Sequence, residues 1–308
     1  MKLFLKKLLI FSLLFLTIGI AGFFAPPTPY ALRSFLFAQI DKDSLLVNTP
    51  APRLVLIGGS TLSMGINSQL FKDSLKLNPV NTAILSGVGL EYMLNHSRQF
   101  IKAGDIVIVV PDYDQFYGNK MYGQDGLLRT VLDVSRKDYS VLSFNQWLNI
   151  MPYLPEYVYS KFNVLEYKST KKNDMPAVYE RRSFNKFGDH TANWGQEPKT
   201  IDALSEIISD FNYQAINELR NFKDEMQQKG ATVYVGFQAM QIRSFKKNID
   251  KINHVHQELH RYGFKLLGTP EKYELADSFL YDSPDHLTKK GADFRTKLLI
   301  NDINGYKH

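Results

Sequence analysis

The N-terminal segment most constrains what this chain can form. An uncharged apolar run covers residues 8–25, and Lys2, Lys6 and Lys7 precede it. A run of this length is enough to cross a lipid bilayer as a single helix. Because basic residues favour the cytoplasmic end of such a helix, we expect everything after Pro26 to lie outside the cytoplasm.

A cleaved signal peptide is the alternative interpretation of this segment, since it too has a basic start and an apolar middle. The run is long for a signal peptide, and residues 23–27 form a poor small-residue cleavage site. We therefore expect a transmembrane anchor or signal at 1–25, a juxtamembrane linker at 26–52 and one α/β domain at 53–308.

The composition narrows the classes of function. The chain has no cysteine, which excludes disulfides and thiolate metal sites. The net charge of +6 includes three N-terminal lysines, and acidic and basic residues are interspersed elsewhere. This pattern does not indicate a nucleic-acid surface. We expect no nucleic-acid partner, no metal and no cofactor.

Strand and helix patterns alternate along most of the chain. Short apolar runs predict strands at residues 54–57, 80–85, 106–110, 231–237 and 265–267. Amphipathic spacing predicts helices at residues 65–77, 89–101, 201–229, 248–262 and 289–303. This alternation predicts an α/β fold, a three-layer α/β/α sandwich with a central parallel sheet. Reactive groups in such folds lie at the carboxyl ends of the strands.

Residues 119–200 interrupt the alternation. They are rich in Tyr, Asn and Lys, and they include Trp147, Trp194 and the tract 183–190. We interpret them as an inserted, partly helical subdomain that covers the carboxyl edge of the sheet. Aromatic and amide side chains suit the binding of sugars, although an ordinary packed subdomain is an equal alternative.

A serine closes the first predicted strand, in the sequence Gly58-Gly59-Ser60. A serine hydroxyl becomes a nucleophile when a neighbouring base takes its proton. The two glycines allow a tight strand-to-helix turn and leave backbone N–H groups free to face an oxyanion. Serine is also favoured at helix N-termini for hydrogen bonding alone, so a structural role for Ser60 is the alternative.

Asp282 and His286 stand just before the last predicted helix. Histidine titrates near neutrality and is the natural acceptor for a serine proton. Thr288 is available to cap the helix, which leaves His286 free for this role. Either Asp282 or Asp285 is placed to orient the ring, and we favour Asp282.

A pair of histidines, His256 and His260, has the i, i+4 spacing that metal sites use. No third ligand accompanies the pair in the sequence. A solvated helix face is the expected role of both residues.

These motifs together resemble the SGNH (GDSL-like) hydrolase superfamily over residues 53–118 and 230–300. The resemblance implies that Ser60 is the nucleophile and that its N–H lines the oxyanion hole. It also implies that His286 is the base and that an aspartate orients it. Family members carry Asp-x-x-His, whereas Asp282 lies four residues before His286.

The resemblance further implies a second oxyanion donor in the segment after the second strand, where Gly87 is the better candidate and Gly89 lies close by. A third donor, an asparagine after the third strand, is missing, because Asp112 stands at that strand end. Either Asn185 fills this role or the oxyanion hole is reduced. We expect Asp112, Tyr113, Asn185 and Asp189 to bind the substrate.

One N-terminal anchor followed by an SGNH-like domain is similar to accessory proteins of cell-surface polysaccharide O-acetylation. This resemblance implies an extracytoplasmic esterase or O-acyltransferase acting on an ester-bearing glycan through an acyl-serine. It also implies a multipass membrane-bound O-acyltransferase as a partner. The alternatives are an esterase on a small or lipid acyl ester and an inactive glycan-binding or scaffold protein of the cell envelope.

Overall fold

A four-stranded parallel sheet forms the centre of the computed structural model, which describes residues 1–168 and 177–306. The strand order is β2-β1-β3-β4. The strands are β1 (Arg53–Gly58), β2 (Asn78–Asn81), β3 (Ile106–Val110) and β4 (Thr232–Val235).

The two central strands, β1 and β3, are the most apolar. Their interior residues are buried on both faces, which explains the continuous apolar runs in the sequence. The two strands pair in register from Leu54 opposite Ile106 to Gly58 opposite Val110. The residues that follow Gly58 and Val110 therefore emerge side by side at the carboxyl edge.

Helices surround the sheet, as the α/β prediction requires. Helix α5 contacts α14 and β2, whereas α11 contacts α6 and β4. The helices of this region are α4 (Ser60–Ser63), α5 (Ser68–Leu75), α6 (Leu90–Ser97), α11 (Tyr213–Gln228), α12 (Ile242–Lys247), α13 (Ile249–Arg261) and α14 (Lys289–Gly305).

Three predicted strands are shorter than expected, and β4 (Thr232–Val235) covers only part of the predicted run 231–237. The second strand ends at Asn81, and the chain then leaves the sheet and forms a helical turn at Ser86–Val88. The strand predicted at 265–267 is a single parallel bridge between Leu266 and Val235. A separate two-stranded parallel sheet pairs β5 (Met240–Gln241) with β6 (Glu274–Leu275).

The long helix predicted at residues 201–229 is wrong over residues 201–212, because α11 begins only at Tyr213. The Asn212 side chain caps the helix by accepting from the Gln214 N–H. Upstream of α11, side chains of the α12 region accept hydrogen bonds from the backbone. The Leu204 N–H, for example, donates to Ser244 Oγ at 2.9 Å. Tertiary hydrogen bonds thus replace helical ones despite the amphipathic spacing.

The chain begins with α1 (Lys2–Phe24), which contains the apolar run. Among the described residues, this N-terminal stretch is the one helix long and apolar enough to cross a membrane. Two helices follow it, α2 (Pro29–Arg33) and α3 (Ala38–Asn48).

A buried histidine ties α3 to the rest of the fold. His96 on α6 lies with Nε2 2.7 Å from Asp43 Oδ1 and Nδ1 3.0 Å from Asp138 Oδ2. Burial lowers the pKa of His96, but the hydrogen bonds and charges of Asp138 and Asp43 outweigh it and raise the pKa to about 9. The ring is therefore a buried cation at neutral pH.

The region predicted as an insertion contains short helices and irregular segments. The helices are α7 (Asp125–Arg129), α8 (Phe144–Ile150), α9 (Leu154–Ser160) and α10 (Val164–Lys168), with a π-helical turn at Thr130–Val134. The part of the predicted insertion at 169–176 lies outside the described residues. The partly helical character expected for this region is present in the rest of it.

Candidate active site

Ser60 begins α4 directly after β1, with Gly59 as the linking residue. A Cβ atom at Gly59 would collide with the Asp112 carboxyl group and approach the Ser86 backbone to 3.0 Å. Only glycine therefore lets these three segments meet. Ser60 is half-buried, and within the described residues its hydroxyl and its backbone N–H form no hydrogen bond.

A fully buried arginine fixes the position of α4. Arg295 on α14 donates from Nη1 to Thr61 O at 2.7 Å and from Nη2 to Phe237 O at 2.9 Å. Burial lowers the pKa of Arg295 to about 10, against the opposing effect of nearby acidic groups. The same guanidinium thus joins the residue after Ser60 to the chain just beyond β4.

His286 is held by an acidic partner in its own loop. Asp282 Oδ1 lies 3.0 Å from Nδ1 of the ring, and Tyr179 donates its hydroxyl to Asp282 Oδ2 at 2.6 Å. Burial raises the pKa of Asp282, but the hydrogen bonds from His286 and Tyr179 outweigh it, and the net pKa is lowered. A carboxylate that accepts from Nδ1–H leaves Nε2 as the basic nitrogen. Within the described residues Nε2 has no hydrogen-bond partner.

Asp285, the alternative acid, points elsewhere. Its Oδ2 accepts from Gln238 Nε2 at 3.1 Å, and its Oδ1 accepts from the Ser283 hydroxyl. Neither contact involves the imidazole ring. Asp282 is therefore the aspartate that orients His286 in this structure.

The segments that carry Ser60 and His286 share an apolar cluster. Met64, at the end of α4, packs with Val178 and Tyr281, and Tyr179 lies against them. No hydrogen bond joins Ser60 Oγ to His286 Nε2 within the described residues. The structure therefore brings the two segments together without a direct hydrogen bond between these two side chains.

Backbone donors lie next to Gly59, in the turn Ser86–Val88. Within the described residues the N–H groups of Ser86 and Gly87 have no acceptor. The prediction of Gly89 as a donor is wrong, because its N–H donates to Ser86 O at 2.9 Å. Gly89 instead has φ +81° and contacts the backbone of Gly123, so it serves the turn.

Asp112 follows β3 and borders the same turn. Its Oδ1 accepts from Thr61 Oγ1 at 2.7 Å, and its buried Oδ2 has no partner within the described residues. Burial, helped by the charge of Asp114, raises the pKa of Asp112 well above its ordinary value. In the protonated form of this carboxyl group, the proton lies on Oδ2, because Oδ1 accepts from Thr61. A neutral acid with a free O–H is a hydrogen-bond donor.

A cavity of about 470 Å³ opens beside this edge. Its floor includes Ser86 and Asp112, the two residues that adjoin Gly59. Tyr113 also lines it, and Gln238 accepts from the Tyr113 N–H at 2.8 Å. The remaining wall comes from residues 204–209, Asp114, Tyr117, Lys120, Met240, Asn248 and Asp285. The lining mixes polar and apolar side chains, and the cavity adjoins the Ser86 turn beside Gly59.

Asn185 and Asp189 do not line this cavity, in contrast to the prediction. Asp189 is fully buried and accepts from the N–H and hydroxyl of Ser68 and from Asn81 Nδ2. Asn185 accepts from the N–H groups of Phe187 and Asp189. Asp189 therefore ties the loop at 183–190 to Ser68 and Asn81, and Asn185 Nδ2 donates to Asp189 Oδ2 at 3.2 Å.

Metal binding is not indicated by this arrangement. Across residues 1–168 and 177–306, no group of three His, Asp or Glu side chains could hold an ion. His256 packs edge-on against Phe237 and His260 is exposed, as expected for a helix that meets solvent.

Three contributors escaped the sequence analysis. Tyr179 supports Asp282 from 103 residues away. Lys199 Nζ lies 3.7 Å from the same carboxylate. The Ser86 N–H adjoins Gly59, and its position directly before Gly87 was the only available signal.

Comparison with known proteins adds no assignment, since no protein-family model and no curated protein matches the chain. The candidate chemistry therefore rests on three features of the residues. They are a half-buried serine at a strand-to-helix turn, an Asp–His pair in a contacting loop, and free N–H groups next to Gly59.

Proposed function

We propose that this protein is a membrane-anchored serine esterase or O-acyltransferase that acts on an ester of a cell-surface glycan. The observation that carries the proposal is the Asp282–His286 pair, whose free Nε2 belongs to a loop packed on the helix that begins at Ser60. An oriented imidazole and an unbonded serine hydroxyl on contacting segments are the groups that nucleophilic catalysis requires.

The proposal includes an SGNH-like fold. The strand order β2-β1-β3-β4 and the serine at the end of β1 support a three-layer sandwich of that type. The region from 119 to 200 would be its inserted subdomain. Its contacts with the carboxyl edge, including Tyr179 with Asp282, support this part of the proposal.

In the proposed mechanism His286 Nε2 takes the Ser60 proton while Ser60 Oγ attacks the ester carbonyl carbon. The carbonyl π electrons move to oxygen and give a tetrahedral oxyanion. His286 then donates the proton to the departing alkoxide, and an acyl-serine remains. Water or an acceptor hydroxyl resolves it by the reverse sequence, with His286 again the base.

The oxyanion would be stabilised by the N–H groups of Ser60, Ser86 and Gly87. Asp112 adds a further donor if its proton stays on Oδ2, which burial and Asp114 favour. In this respect a neutral aspartic acid takes the part that an asparagine plays in the SGNH resemblance. Each such donor typically contributes about 3 to 4 kcal/mol of transition-state stabilisation.

The location follows from α1 and its flanking charges. Lysines at positions 2, 6 and 7 favour the cytoplasmic side for the N-terminus, which supports a periplasmic or cell-surface location for the domain. Charged groups in the mixed lining of the cavity, among them Asp114, Lys120 and Glu206, support a hydroxyl-rich ligand such as a glycan. A multipass O-acyltransferase beside the anchor would supply or receive the acyl group.

A second candidate is an inactive glycan-binding or scaffold protein. The missing hydrogen bond between Ser60 and His286 within the described residues favours it. A small-molecule or lipid esterase remains a variant of the first proposal with a different acyl ester.

Labelling with a fluorophosphonate separates enzyme from scaffold. We expect wild type to be labelled and Ser60→Ala to lose the label. Ser63→Ala is the matched control, because Ser63 is buried on the same short helix and should leave labelling intact. A wild-type protein that takes no label would overturn the enzymatic proposal and support the binding module.

Transferase and hydrolase are then separated with an acyl donor. The full chain is incubated with an activated acetyl ester, with and without an oligosaccharide acceptor. Acetylated sugar supports transfer, and free acetate alone supports hydrolysis.

A further inference from the structure

An exposed apolar surface lies on α9 and α10. Large apolar side chains that are 46% to 72% exposed crowd into a nine-residue stretch, which we name the α9–α10 patch: Tyr159, Phe162, Val164, Leu165 and Tyr167. Single exposed apolar residues are ordinary, whereas a contiguous group marks an interaction surface.

The patch adjoins the end of the apolar N-terminal helix. A Cβ atom at Gly22, two residues before the end of α1, would lie 2.7 Å from atoms of both Phe162 and Val158. Helices approach this closely where one of them presents a glycine. Phe162 is therefore both a member of the patch and a contact of α1.

Polar contacts hold this region beside the exit of α1. The Thr28 hydroxyl donates to Glu166 of α10, and Lys161 Nζ lies 3.4 Å from Pro26 O. Lys161 also forms a buried ion pair with Asp133 at 2.7 Å. The depth of the patch relative to α1 is thus set by several independent contacts.

The dimensions point to lipid as the occupant. A helix of 23 residues is about 35 Å long, slightly more than the roughly 30 Å hydrocarbon core. Gly22 then lies near the boundary between acyl chains and headgroups on the far side from Lys2. Tyrosine and phenylalanine are suited to that boundary.

We propose that the α9–α10 patch is a second membrane contact, inserted into the leaflet at the C-terminal end of α1. The proposal rests on α1 spanning a membrane, which is part of the proposed function. Its partner is the headgroup and upper acyl region of a phospholipid leaflet, and its role is to seat the domain on the bilayer surface.

The absence of cysteine makes the test direct, because a single introduced cysteine is the only thiol. The full chain carries an environment-sensitive fluorophore at Leu165→Cys in phosphatidylcholine–phosphatidylglycerol vesicles. Ile208→Cys is the matched control, being apolar and 88% exposed on the cavity wall. A third probe at Phe15→Cys reports whether α1 is inserted.

An acyl-chain nitroxide should quench the Leu165 probe about three times more strongly than the Ile208 probe, and aqueous iodide should show the reverse. Equal quenching at the two positions overturns the proposal. Disulfide trapping between Leu165→Cys copies at low protein density also overturns it, in favour of a self-association surface.

The Phe15 probe and fluorophosphonate labelling of the same samples show which proposal has failed: the patch, the anchor or the Ser60 chemistry. Lipid quenching at Phe15 but not at Leu165 leaves the anchor standing and removes only the patch. Quenching at neither position removes both. Labelling of Ser60 tests the chemistry independently of either outcome.

Discussion

The Nδ1 atom of His286 lies 3.0 Å from the Oδ1 atom of Asp282, four residues earlier in the same loop. Asp285, adjacent in sequence, bonds to Gln238 instead. Asp282→Asn should therefore lower kcat for an aryl ester by on the order of 10³- to 10⁴-fold, because an amide no longer holds the productive tautomer. Asp285→Asn should stay close to wild type. A larger loss in Asp285→Asn would reverse the assignment.

Tyr179 supports this pair through its hydrogen bond to Asp282 Oδ2. That bond helps to keep the pKa of Asp282 below its ordinary value against the opposing effect of burial. Tyr179→Phe should raise the pKa of Asp282, shift the acid limb of the kcat/KM profile to higher pH and lower kcat by about 3- to 30-fold. Tyr281→Phe, in the same apolar cluster, is the control. An unshifted acid limb would mean that Tyr179 only packs against the apolar cluster and does not act through its hydrogen bond to Asp282.

Asp112 is expected to work as a neutral donor. Asp112→Asn keeps an N–H donor and should retain most activity, whereas Asp112→Ala should lose about 10²-fold or more in kcat. Because burial raises the pKa of Asp112, wild type should lose activity as pH rises and the carboxyl ionises, and Asp112→Asn should not. Equal impairment of the two variants would argue for an ionised or purely structural Asp112.

The buried His96 predicts a pH-dependent stability. Its folded pKa of about 9 exceeds the ordinary 6.5, so its contribution is complete below pH 6.5 and is lost as pH rises through 9. The shift corresponds to about 3 kcal/mol. In urea unfolding of the full chain in detergent, the advantage of wild type over His96→Gln should shrink by this amount between pH 6 and pH 10. The exposed His260→Gln should follow wild type, and a constant difference for His96→Gln would refute the charged-ring interpretation.

Those parts of the fold that depend on local pattern were predictable. Strands β1 and β3 match the predicted runs 54–57 and 106–110 within one residue at each end, because strands buried on both faces carry an unbroken apolar signal. The start of α14 also follows the prediction, with Thr288 accepting from the Gly291 N–H as its cap.

Features fixed by distant contacts were not predictable. The Tyr179–Asp282 bond spans 103 residues and leaves no periodic trace in the sequence. Residues 201–210 have helical spacing, yet the Ile207 N–H donates to the Asn248 side chain and the helix starts later. Asn185 and Asp189 have the polarity of binding residues, but Asp189 is buried and accepts from Ser68 and Asn81, and the Asn185 amide donates to Asp189.

The close packing at Gly22 has a mechanical result. Phe162 packs on α1, and Lys161 and Glu166 bind the residues that follow it. The globular part is therefore attached to α1 through several contacts and not only through a flexible linker. Turning α1 about its long axis would swing the mouth of the cavity through the same angle. The direction from which a large polymer can reach the cavity would therefore depend on the rotation of α1 in the membrane.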